Sequence, residues 1–415
     1  MTTSPPTSPR PPLLTLDEAL ARLLGAVQAT GATERVSTFE ARGRVLAEDV
    51  HSQLDVPPLD NTAMDGYALR SADVAAAGTV LPVSQRIPAG SLPQPLQPGT
   101  AARIFTGAPV PPGADAVVMQ EQCEALDGQV RVNELPRPGQ WIRRRGEDVQ
   151  EGSVVLRAGQ RLTPQALGLA ASVGAATLAV ARRPRVALFS TGDELVMPGE
   201  PLRPGAIYNS NRYTLRALIE ALGGECSDLG IVPDRLDATR DALRRAAEGH
   251  DLIVTSGGVS VGEEDHLRPA VQAEGRLDLW QMAIKPGKPL AFGAVRRAGG
   301  AGEAWFIGLP GNPVSSFMTF LLAARPVLLR LQGAAPEAPA AIPMRADFDW
   351  PKPDRRREFL RVRRNARGGL DRFENQGSGV LSSAAWGDGV VDNPPQQAIR
   401  AGDTVPYIPF AEWLA

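Results

Sequence analysis

The sequence predicts a multidomain protein of the α/β and β classes, and three observations support this fold class. The chain has 415 residues, which is too long for one ordinary core and suggests about three domains. From Pro184 to about Gly333, strand-like and helix-like segments alternate, which predicts a three-layer α/β domain with a mostly parallel sheet. Short apolar runs between turn clusters, from Val36 to Asp148 and again from Ala341 to Ala415, predict a mostly β module and a C-terminal β barrel.

The composition is that of a globular protein and excludes several classes of function. Hydrophobic residues make up 43% and charged residues 22% of the chain, as in ordinary soluble domains. Lys+Arg 44 against Asp+Glu 46 leaves no basic excess for a broad nucleic-acid surface. Two cysteines, Cys123 and Cys226, and three scattered histidines exclude a disulfide framework, a cysteine zinc site and a His-rich metal centre.

No targeting or membrane-spanning segment is predicted. The N-terminus, MTTSPPTSPRPP, has no hydrophobic signal core and is typical of a disordered tail. The uncharged stretch Leu162–Ala181 contains Pro164, Gly168 and Gly174, so we interpret it as a buried helix or a connector rather than a span. These features predict a cytoplasmic protein with no membrane and no nucleic-acid partner.

The elements before residue 149 begin with one helix. Thr15 and Glu18 form a capping box before Ala19–Ala26, and the acidic residues lie at the positive end of the helix dipole. After this helix the sequence pattern changes. Apolar runs such as Ala102–Phe105 and Ala116–Met119 alternate with turn-rich clusters. This part of the chain is therefore predicted to form short strands.

The elements of the α/β domain follow in a regular order. Strands are predicted at Arg185–Phe189, Leu229–Val232, Asp251–Val254, Pro289–Val295 and Ala304–Ile307. Helices are predicted at Ser210–Leu222, which ends at two glycines, at Arg235–Ala247, and in a long apolar segment from Pro313. Ligands of such sheets bind beyond the carboxyl ends of the strands.

Four loops follow successive strands and are predicted to meet at one edge of the sheet. They are Ser190–Glu194, Val232–Asp234, Thr255–Asp265 and Gly308–Pro313. The third loop, TSGGVSVGEED, offers glycines and serines that resemble a phosphate cradle, yet it ends in three carboxylates. A single Gly-rich loop is as often a tight turn, so the prediction of a ligand site depends on all four loops together.

The fourth loop leads into a helix. Asn312 is a favourable N-cap and Pro313 a favourable first helical residue. Free N–H groups, with Ser315 and Ser316 in the first turn, predict an anion site. An ordinary well-capped helix is the alternative interpretation.

Three carboxylates, Glu194, Asp234 and Asp265, each follow a different strand. Any one of them alone would be interpreted as a solvated surface residue. Three at one sheet edge, beside a phosphate cradle, predict a divalent cation such as Mg²⁺, which binds through a few carboxylates and substrate phosphates.

Several charged segments allow two interpretations. Lys285 and Lys288 lie on the Pro/Gly-stiffened segment Ile284–Pro289, which favours anion binding over a solubilising role. The runs Arg143–Arg145 and Arg355–Arg364 are typical of solvated faces. Asp60–Tyr67 is typical of a turn between two strands, and spacing alone gives Asp65 no chemical role.

Taken together, these motifs resemble the MoeA family, the molybdopterin molybdenumtransferases, which are related to the E domain of gephyrin-like proteins. The resemblance runs from about Leu13 to the C-terminus. It is carried by the motifs DNTAMDGYALR, RIFTGAPVPPGADAVVMQEQ, IRRRGEDV, VALFSTGDEL, TSGGVSVGEEDH, AIKPGKPLAFG and GLPGNPVSS.

The resemblance implies a fold of four domains and a homodimer. Its divisions are a discontinuous helical linker domain of residues 13–35 and 149–183, a mostly β module of residues 36–148, an α/β molybdopterin-binding domain of residues 184–333, and a C-terminal β barrel of residues 334–415. The implied cleft lies between the α/β domain of one subunit and the β module of the other. The implied reaction inserts molybdenum from molybdate into adenylylated molybdopterin, releases AMP and requires Mg²⁺.

The resemblance also implies residue roles. The implied catalytic residues are Asp65, Thr106, Asp148, Glu194, Asp234 and Asp265, of which Glu194, Asp234 and Asp265 are the implied metal ligands. Substrate contacts are implied for Thr191, Gly192, Ser256, Gly257, Gly258, Ser260, Lys285, Lys288, Pro310, Pro313, Ser315, Arg361 and Ser378. Within this set, molybdate is assigned to Lys285, Lys288, Ser315, Arg361 and Ser378, which suits an oxyanion that needs cationic and hydroxyl donors.

The sequence departs from the common family pattern at four positions. Gln281 stands where relatives often have Lys, and Asn209 where an Asp is frequent. His266 replaces a frequent aromatic residue, and Arg235 follows Asp234 where a second Asp is common. These departures concern one cationic contact and the geometry of the metal site.

Two other functions remain as alternatives. Adenylyl transfer onto molybdopterin would use the α/β domain alone, and ATP consumption would favour it. A gephyrin-like scaffold is the third candidate, although the N-terminal tail is short and no long interaction linker is present. The molybdopterin adenylyltransferase and the proteins that receive the cofactor are possible protein partners.

Overall fold

The computed structural model describes residues 13–259 and 266–414. In the N-terminal part of the chain, α1 begins after Thr15, whose side chain accepts from the Glu18 N–H while Glu18 accepts from the Thr15 N–H, so the predicted capping box is confirmed. The strands up to residue 183 are β1 Leu13–Leu14, β2 Thr33–Ser37, β3 Val50–His51, β4 Asn61–Thr62, β5 Gly66–Leu69, β6 Thr79–Ile87, β7 Ala101–Ile104, β8 Ala116–Met119, β9 Cys123–Leu126, β10 Gln129–Val132, β11 Ile142–Arg143, β12 Val154–Leu156 and β13 Thr177–Ala181. The helices are α1 Leu16–Ala26 and α2 Pro164–Ser172.

A six-stranded sheet forms the predicted β module, with the order β8-β5-β7-β6-β10-β9. Buried Leu69, Val118 and Val130 belong to the core on one of its faces. Two short ladders, β2 with β13 and β3 with β12, join the segments that precede and follow this sheet along the chain. The predicted stretch Leu162–Ala181 accordingly contains a helix, α2, and a strand, β13.

The α/β part of the chain has the predicted alternation of strands and helices. Its strands are β14 Arg185–Thr191, β15 Leu195–Val196, β16 Ile207–Tyr208, β17 Glu225–Val232, β18 Leu252–Ser256, β19 Gly275–Met282, β20 Ile284–Lys285, β21 Pro289–Arg296 and β22 Glu303–Leu309. Its helices are α3 Ser210–Ala221, α4 Leu236–Gly249, α5 Leu267–Glu274, α6 Pro313–Thr319 and α7 Arg325–Leu331.

A seven-stranded sheet with the order β1-β19-β21-β22-β18-β14-β17 forms the centre of this part. The pairs β14–β17, β14–β18, β18–β22 and β1–β19 are parallel, whereas β21 runs antiparallel to β19 and β22. Buried side chains cover both faces: Leu23, Leu215 and Met318 belong to one core cluster, and Leu243 and Val271 to the other. The predicted three-layer, mostly parallel α/β domain is confirmed.

The helices α6 and α7 form one continuous helix. A π-helical segment, Phe320–Ala324, joins them directly before Pro326, where a proline without an N–H interrupts the regular hydrogen bonds. The combined helix, Pro313–Leu331, is long and apolar enough to cross a membrane, but 89% of its most apolar stretch is buried inside the protein. It is therefore a core helix.

The C-terminal part is a closed barrel, as predicted. It consists of β23 Ile342–Ala346, β24 Arg357–Arg364, β25 Gly369–Arg372, β26 Gly389–Asn393 and β27 Thr404–Pro409, with α8 Leu381–Trp386 and α9 Phe410–Leu414. Strand pairing runs β23-β25-β24-β26-β27 and returns to β23. The short strand β20 pairs in parallel with β24 and so attaches the barrel to the α/β part.

Candidate functional site

The carboxyl ends of four parallel strands meet at one edge of the seven-stranded sheet. Thr191 lies opposite Val232, and Ser256 lies opposite both Ser190 and Leu309. The loops that leave these strand ends are therefore neighbours, as predicted. This edge is the candidate site.

Asn211, a residue that sequence reasoning missed, connects two of these loops. It lies in the first turn of α3, is 8% exposed, and its Nδ2 donates to the Oγ of Ser256 at 2.7 Å and to the carbonyl of Gly311 at 2.7 Å. Neighbouring Asn209 caps α3 by accepting from the Arg212 N–H at 3.2 Å. This capping role suits an Asn at that position.

The third loop contains a glycine that no other residue could replace without strain. Gly257 has φ +93°, and a Cβ there would lie 2.8 Å from the carbonyl oxygen of Thr191. Its N–H donates to the carbonyl of Leu309 at 3.1 Å, so this group is not free to bind phosphate. Gly258 also has positive φ. The predicted residues Ser260 and Asp265 lie outside the described residues.

The first and second loops bring carboxylates to the same edge. Glu194 is exposed and Asp234 is half-buried. Asp193, which sequence reasoning also missed, accepts from the Asp234 N–H at 3.2 Å and so ties these loops together. Gly192 has φ +141°, and a Cβ on it would lie 2.5 Å from Glu194 Oε2, so the Glu194 carboxylate packs against the glycine.

A three-carboxylate metal site is not tested by the structure. Across residues 13–259 and 266–414, no group of three His, Cys, Asp or Glu side chains could hold a metal ion. The third predicted ligand, Asp265, lies outside these ranges. The set of Glu194, Asp234 and Asp265 therefore stays a prediction.

The fourth loop enters α6 at Pro313 as predicted, but the prediction of free N–H groups there is wrong at one position, Val314. The Val314 N–H donates to the carbonyl of Ser378 at 2.9 Å, whereas the Ser316 N–H makes the regular first bond of the helix, to the carbonyl of Asn312 at 2.8 Å. The Asn312 side chain makes no capping hydrogen bond. Ser315 is 5% exposed, and Pro310, at the start of the loop, is buried.

The segment that contains Ser378 connects Arg361 of β24 to the start of α6 by hydrogen bonds. Arg361 is 1% exposed, and it donates to Ser383 Oγ at 3.1 Å and to the carbonyls of Phe359 and Gly377 at 3.2 Å each. Burial lowers the pKa of the Arg361 guanidinium to about 10, so it remains a cation at neutral pH. Among the described residues its partners are neutral, which suits a cation that binds an anion.

The other arginines of the two basic runs are mostly neutralised by carboxylates. In the C-terminal run, Arg356, Arg357 and Arg364 form ion pairs with Asp354, Asp392 and Asp388, respectively. In the other run, Arg144 pairs with Asp60 and Arg145 with Asp55. These contacts favour the structural interpretation for these residues.

Lys285 and Lys288 have different surroundings. The Lys285 ammonium donates to Glu358 Oε1 at 3.1 Å and lies 3.6 Å from Asp354 Oδ2. Lys288 is exposed, as expected for a side chain that could meet a ligand. The carboxylate partner of Lys285 belongs to the barrel and was missed, because no local pattern links positions 285 and 358.

The β module contains the three remaining predicted catalytic residues. Asp65 Oδ1 accepts from the Thr106 N–H at 2.7 Å and from the Thr106 Oγ1 at 2.6 Å. The side-chain bond from Thr106 is the largest cause that lowers the pKa of Asp65. Asp148 is exposed, and its N–H donates to Val56. These hydrogen bonds all lie within the β module.

Comparisons with family models define the class of protein. Residues 187–330 match a model described as "Probable molybdopterin binding domain". Residues 14–174 match the "MoeA N-terminal region (domain I and II)", and residues 343–410 match the "MoeA C-terminal region (domain IV)". The chain is thus a molybdopterin-binding type of α/β protein with flanking β domains.

Individual relatives agree with these models over the whole chain. A protein named molybdopterin molybdenumtransferase from Haemophilus influenzae is 39% identical over 409 residues, which are 97% of this chain and 100% of the relative. A relative of the same name from Bacillus subtilis is 35% identical over 360 residues, which are 84% of this chain and 81% of the relative.

A solved structure supports the same assignment. The molybdopterin biosynthesis MoeA protein from Pyrococcus horikoshii has a TM-score of 0.81 and 31% identity, and it covers 96% of this chain and 100% of its own. The chain belongs to the MoeA family, the molybdopterin molybdenumtransferases.

Proposed function

We propose that this MoeA-family enzyme transfers molybdenum from molybdate to the dithiolene of adenylylated molybdopterin and releases AMP in the same reaction. The observation that carries this proposal is the meeting of four strand-end loops, with Asn211 bridging Ser256 and Gly311. A nucleotide-bearing substrate fits the carboxyl edge of such a sheet. The buried cation Arg361 lies nearby through Gly377 and Ser378, where an oxyanion could bind.

The residues that we expect to lie near the substrate phosphates have roles that follow from their positions. Gly258, with its positive φ, brings backbone close to a bound phosphate, while Gly257 holds the loop against β22. Thr191 and Ser256 end adjacent strands and are buried, so both hydroxyls are fixed. Gly192 lets the chain turn closely beneath Glu194.

The carboxylates at this edge fit a magnesium ion. Glu194 and Asp234 offer the hard oxygen ligands that Mg²⁺ prefers, and the ion usually adds substrate phosphates to one or two carboxylates. Asp265 would be the third ligand. When bound, Mg²⁺ would supply a positive charge against the phosphoanhydride of the substrate.

Molybdate is the second substrate in this proposal. Arg361 supplies a fixed positive charge, and Ser315, Ser378, Lys285 and Lys288 supply further donors for its oxygens. A preorganised set of donors stabilises an oxyanion without reorganisation during the reaction. No nucleophilic side chain is needed, because the sulfur atoms that receive molybdenum belong to the pterin.

The assembly and location complete the proposal. Asp65, Thr106 and Asp148 lie in the β module, and a homodimer would let the β module of one subunit close the site of the other. We further propose a cytoplasmic enzyme whose protein partners are the molybdopterin adenylyltransferase and the proteins that receive the cofactor.

One assay tests this function. The enzyme is supplied with adenylylated molybdopterin, molybdate and Mg²⁺, and AMP release and active cofactor are measured. Glu194→Ala and Asp265→Ala should reduce both products, whereas Glu200→Ala, at an exposed glutamate of the following loop, should not. ATP consumption with unmodified molybdopterin would instead identify an adenylyltransferase.

A further inference from the structure

Glu358 is a buried carboxylate that touches one of the proposed molybdate residues. It lies on β24 directly opposite Lys285 of β20 in the parallel pairing of these strands. The Glu358 side chain is 1% exposed and the Lys285 side chain 37% exposed. Their Oε1 and Nζ atoms are 3.1 Å apart.

Both oxygens of the Glu358 carboxylate accept hydrogen bonds. Oε1 accepts from Lys285, while Oε2 accepts from the Trp350 Nε1 at 2.7 Å and from the Asp354 N–H at 3.1 Å. A buried charge is stable only when it is paired and hydrogen-bonded. These three donors therefore hold the carboxylate in one position, and the carboxylate in turn holds the ammonium.

Lys285 keeps donors for a ligand. An ammonium has three N–H groups, and Glu358 accepts only one of them. Asp354 Oδ2 is 3.6 Å away, and Asp354 itself binds Arg356 through both carboxylate oxygens. The positive charges of Lys285 and Arg356 thus balance the negative charges of Glu358 and Asp354. Because this group has no net charge, Lys285 would act on an oxyanion through a short, directed hydrogen bond rather than through long-range attraction.

The same barrel strand contains Arg361, three residues beyond Glu358. The Arg357 N–H also donates to the carbonyl of Ala283 at 2.9 Å, which fastens β24 to the chain before Lys285. One strand therefore fixes the position of two cations, Arg361 directly and Lys285 through Glu358.

We infer that Glu358 is a positioning residue of the oxyanion site, which orients the Lys285 ammonium toward molybdate from the barrel side. This inference rests on the proposed function, because it takes molybdate as the ligand of Lys285. Glu358 itself does not touch the substrate.

The test uses Glu358→Gln. A glutamine has one oxygen for three donors. With that oxygen on the side of the Trp350 Nε1 and the Asp354 N–H, which are two of the three, the NH₂ group faces the ammonium and Lys285 is released. Molybdate affinity, measured on the full-length resting protein by isothermal titration calorimetry, should fall about tenfold, as for the loss of one charge-assisted contact. The KM for adenylylated molybdopterin should not change. Glu225→Gln, at an exposed glutamate where β17 begins, is the matched control.

A double-mutant cycle separates positioning from a general structural effect. Lys285→Gln keeps a donor for Glu358 but removes the charge, and it should weaken molybdate binding at least as much as Glu358→Gln. In the Lys285→Gln background, Glu358→Gln should have no further effect on molybdate affinity. Additive losses would overturn the inference, as would unchanged affinity in either single variant.

Two further measurements keep the outcomes distinct. If Glu358→Gln does not fold, Glu358→Asp retains the charge with a shorter reach and should give an intermediate affinity. Wild-type affinity in that variant would contradict the inference. Because binding is measured without turnover, absence of AMP release by the wild-type protein would refute the proposed function alone.

Discussion

Replacing Asn211 tests whether one buried side chain organises the candidate site. Asn211→Ala removes the donor that serves both Ser256 Oγ and the carbonyl of Gly311, each at 2.7 Å. Ser256 is 4% exposed, so its oxygen would lose a partner inside the protein, whereas Gly311 is exposed and its carbonyl can bind water instead. Loss of the hydrogen bond to Ser256 should therefore cost more free energy than loss of the hydrogen bond to Gly311.

The magnitude follows from these surroundings. A typical hydrogen bond contributes about 1 kcal/mol net, and a buried group left without a partner costs ~1–3 kcal/mol. The Gly311 bond should therefore account for the smaller share and the Ser256 bond for the larger, and the free energy of unfolding should fall by about 2–3 kcal/mol. Since both affected loops belong to the proposed substrate site, the KM for adenylylated molybdopterin should rise about tenfold, which corresponds to ~1.4 kcal/mol.

Urea unfolding and steady-state AMP release measure the two effects. Asn133→Ala, at an exposed asparagine of the β module, provides a control for the loss of an amide that bridges no loops. If Asn211→Ala has the same urea midpoint and the same KM as Asn133→Ala, the proposed bridge does not organise the site. A lower midpoint with an unchanged KM would show that the bridge stabilises the fold but does not shape the substrate site.

Three further predictions concern charged and titratable groups. Arg361→Gln should weaken molybdate binding at least tenfold in calorimetry, since hydrogen bonds to a charged group contribute ~1.5–3 kcal/mol; unchanged affinity would remove this residue from the site. Thr106→Val should raise the pKa of Asp65 toward the ordinary value of an aspartate, because the Thr106 hydroxyl is the largest cause that lowers it, and NMR titration of the carboxyl carbon measures the change. A carboxyl whose pKa is lowered in the folded state stabilises the fold at pH values above its unfolded-state pKa. This stabilisation is lost as the pH falls through the folded-state pKa. The Thr106→Val variant should therefore lose the Asp65 stabilisation at a higher pH than the wild type. Burial raises the pKa of Cys123 and of Cys226 to about 11, so both thiols should react slowly with dithionitrobenzoate at pH 8 until urea exposes them, and rapid labelling of the native protein would contradict this.

The parts of the fold that depend on local chemistry could be predicted from the sequence. The capping box of Thr15 and Glu18 and the strand Ala116–Met119 are in place as predicted, because caps and short apolar runs need no distant partner. The meeting of the four loops was predictable for a similar reason: parallel strands end at one edge whatever their order. The antiparallel direction of β21 was not, since a buried strand has the same apolar pattern in either direction.

The charges of the site could not be assigned from the sequence, because their partners depend on how the barrel closes. Arg357 and Arg361 belong to one basic run, yet Arg357 reaches Asp392 on a neighbouring strand while Arg361 points among neutral groups. Lys285 looks like a free cation in its Pro/Gly segment, but it meets Glu358 from a strand 73 positions later. A cation with a carboxylate partner binds an external anion only with its remaining donors, whereas a cation held by carbonyls and a hydroxyl retains its full charge for the ligand. Barrel closure therefore distinguishes the two kinds of cation. Arg361 contributes positive charge to the proposed molybdate site, while Lys285 contributes hydrogen-bond donors held in one orientation.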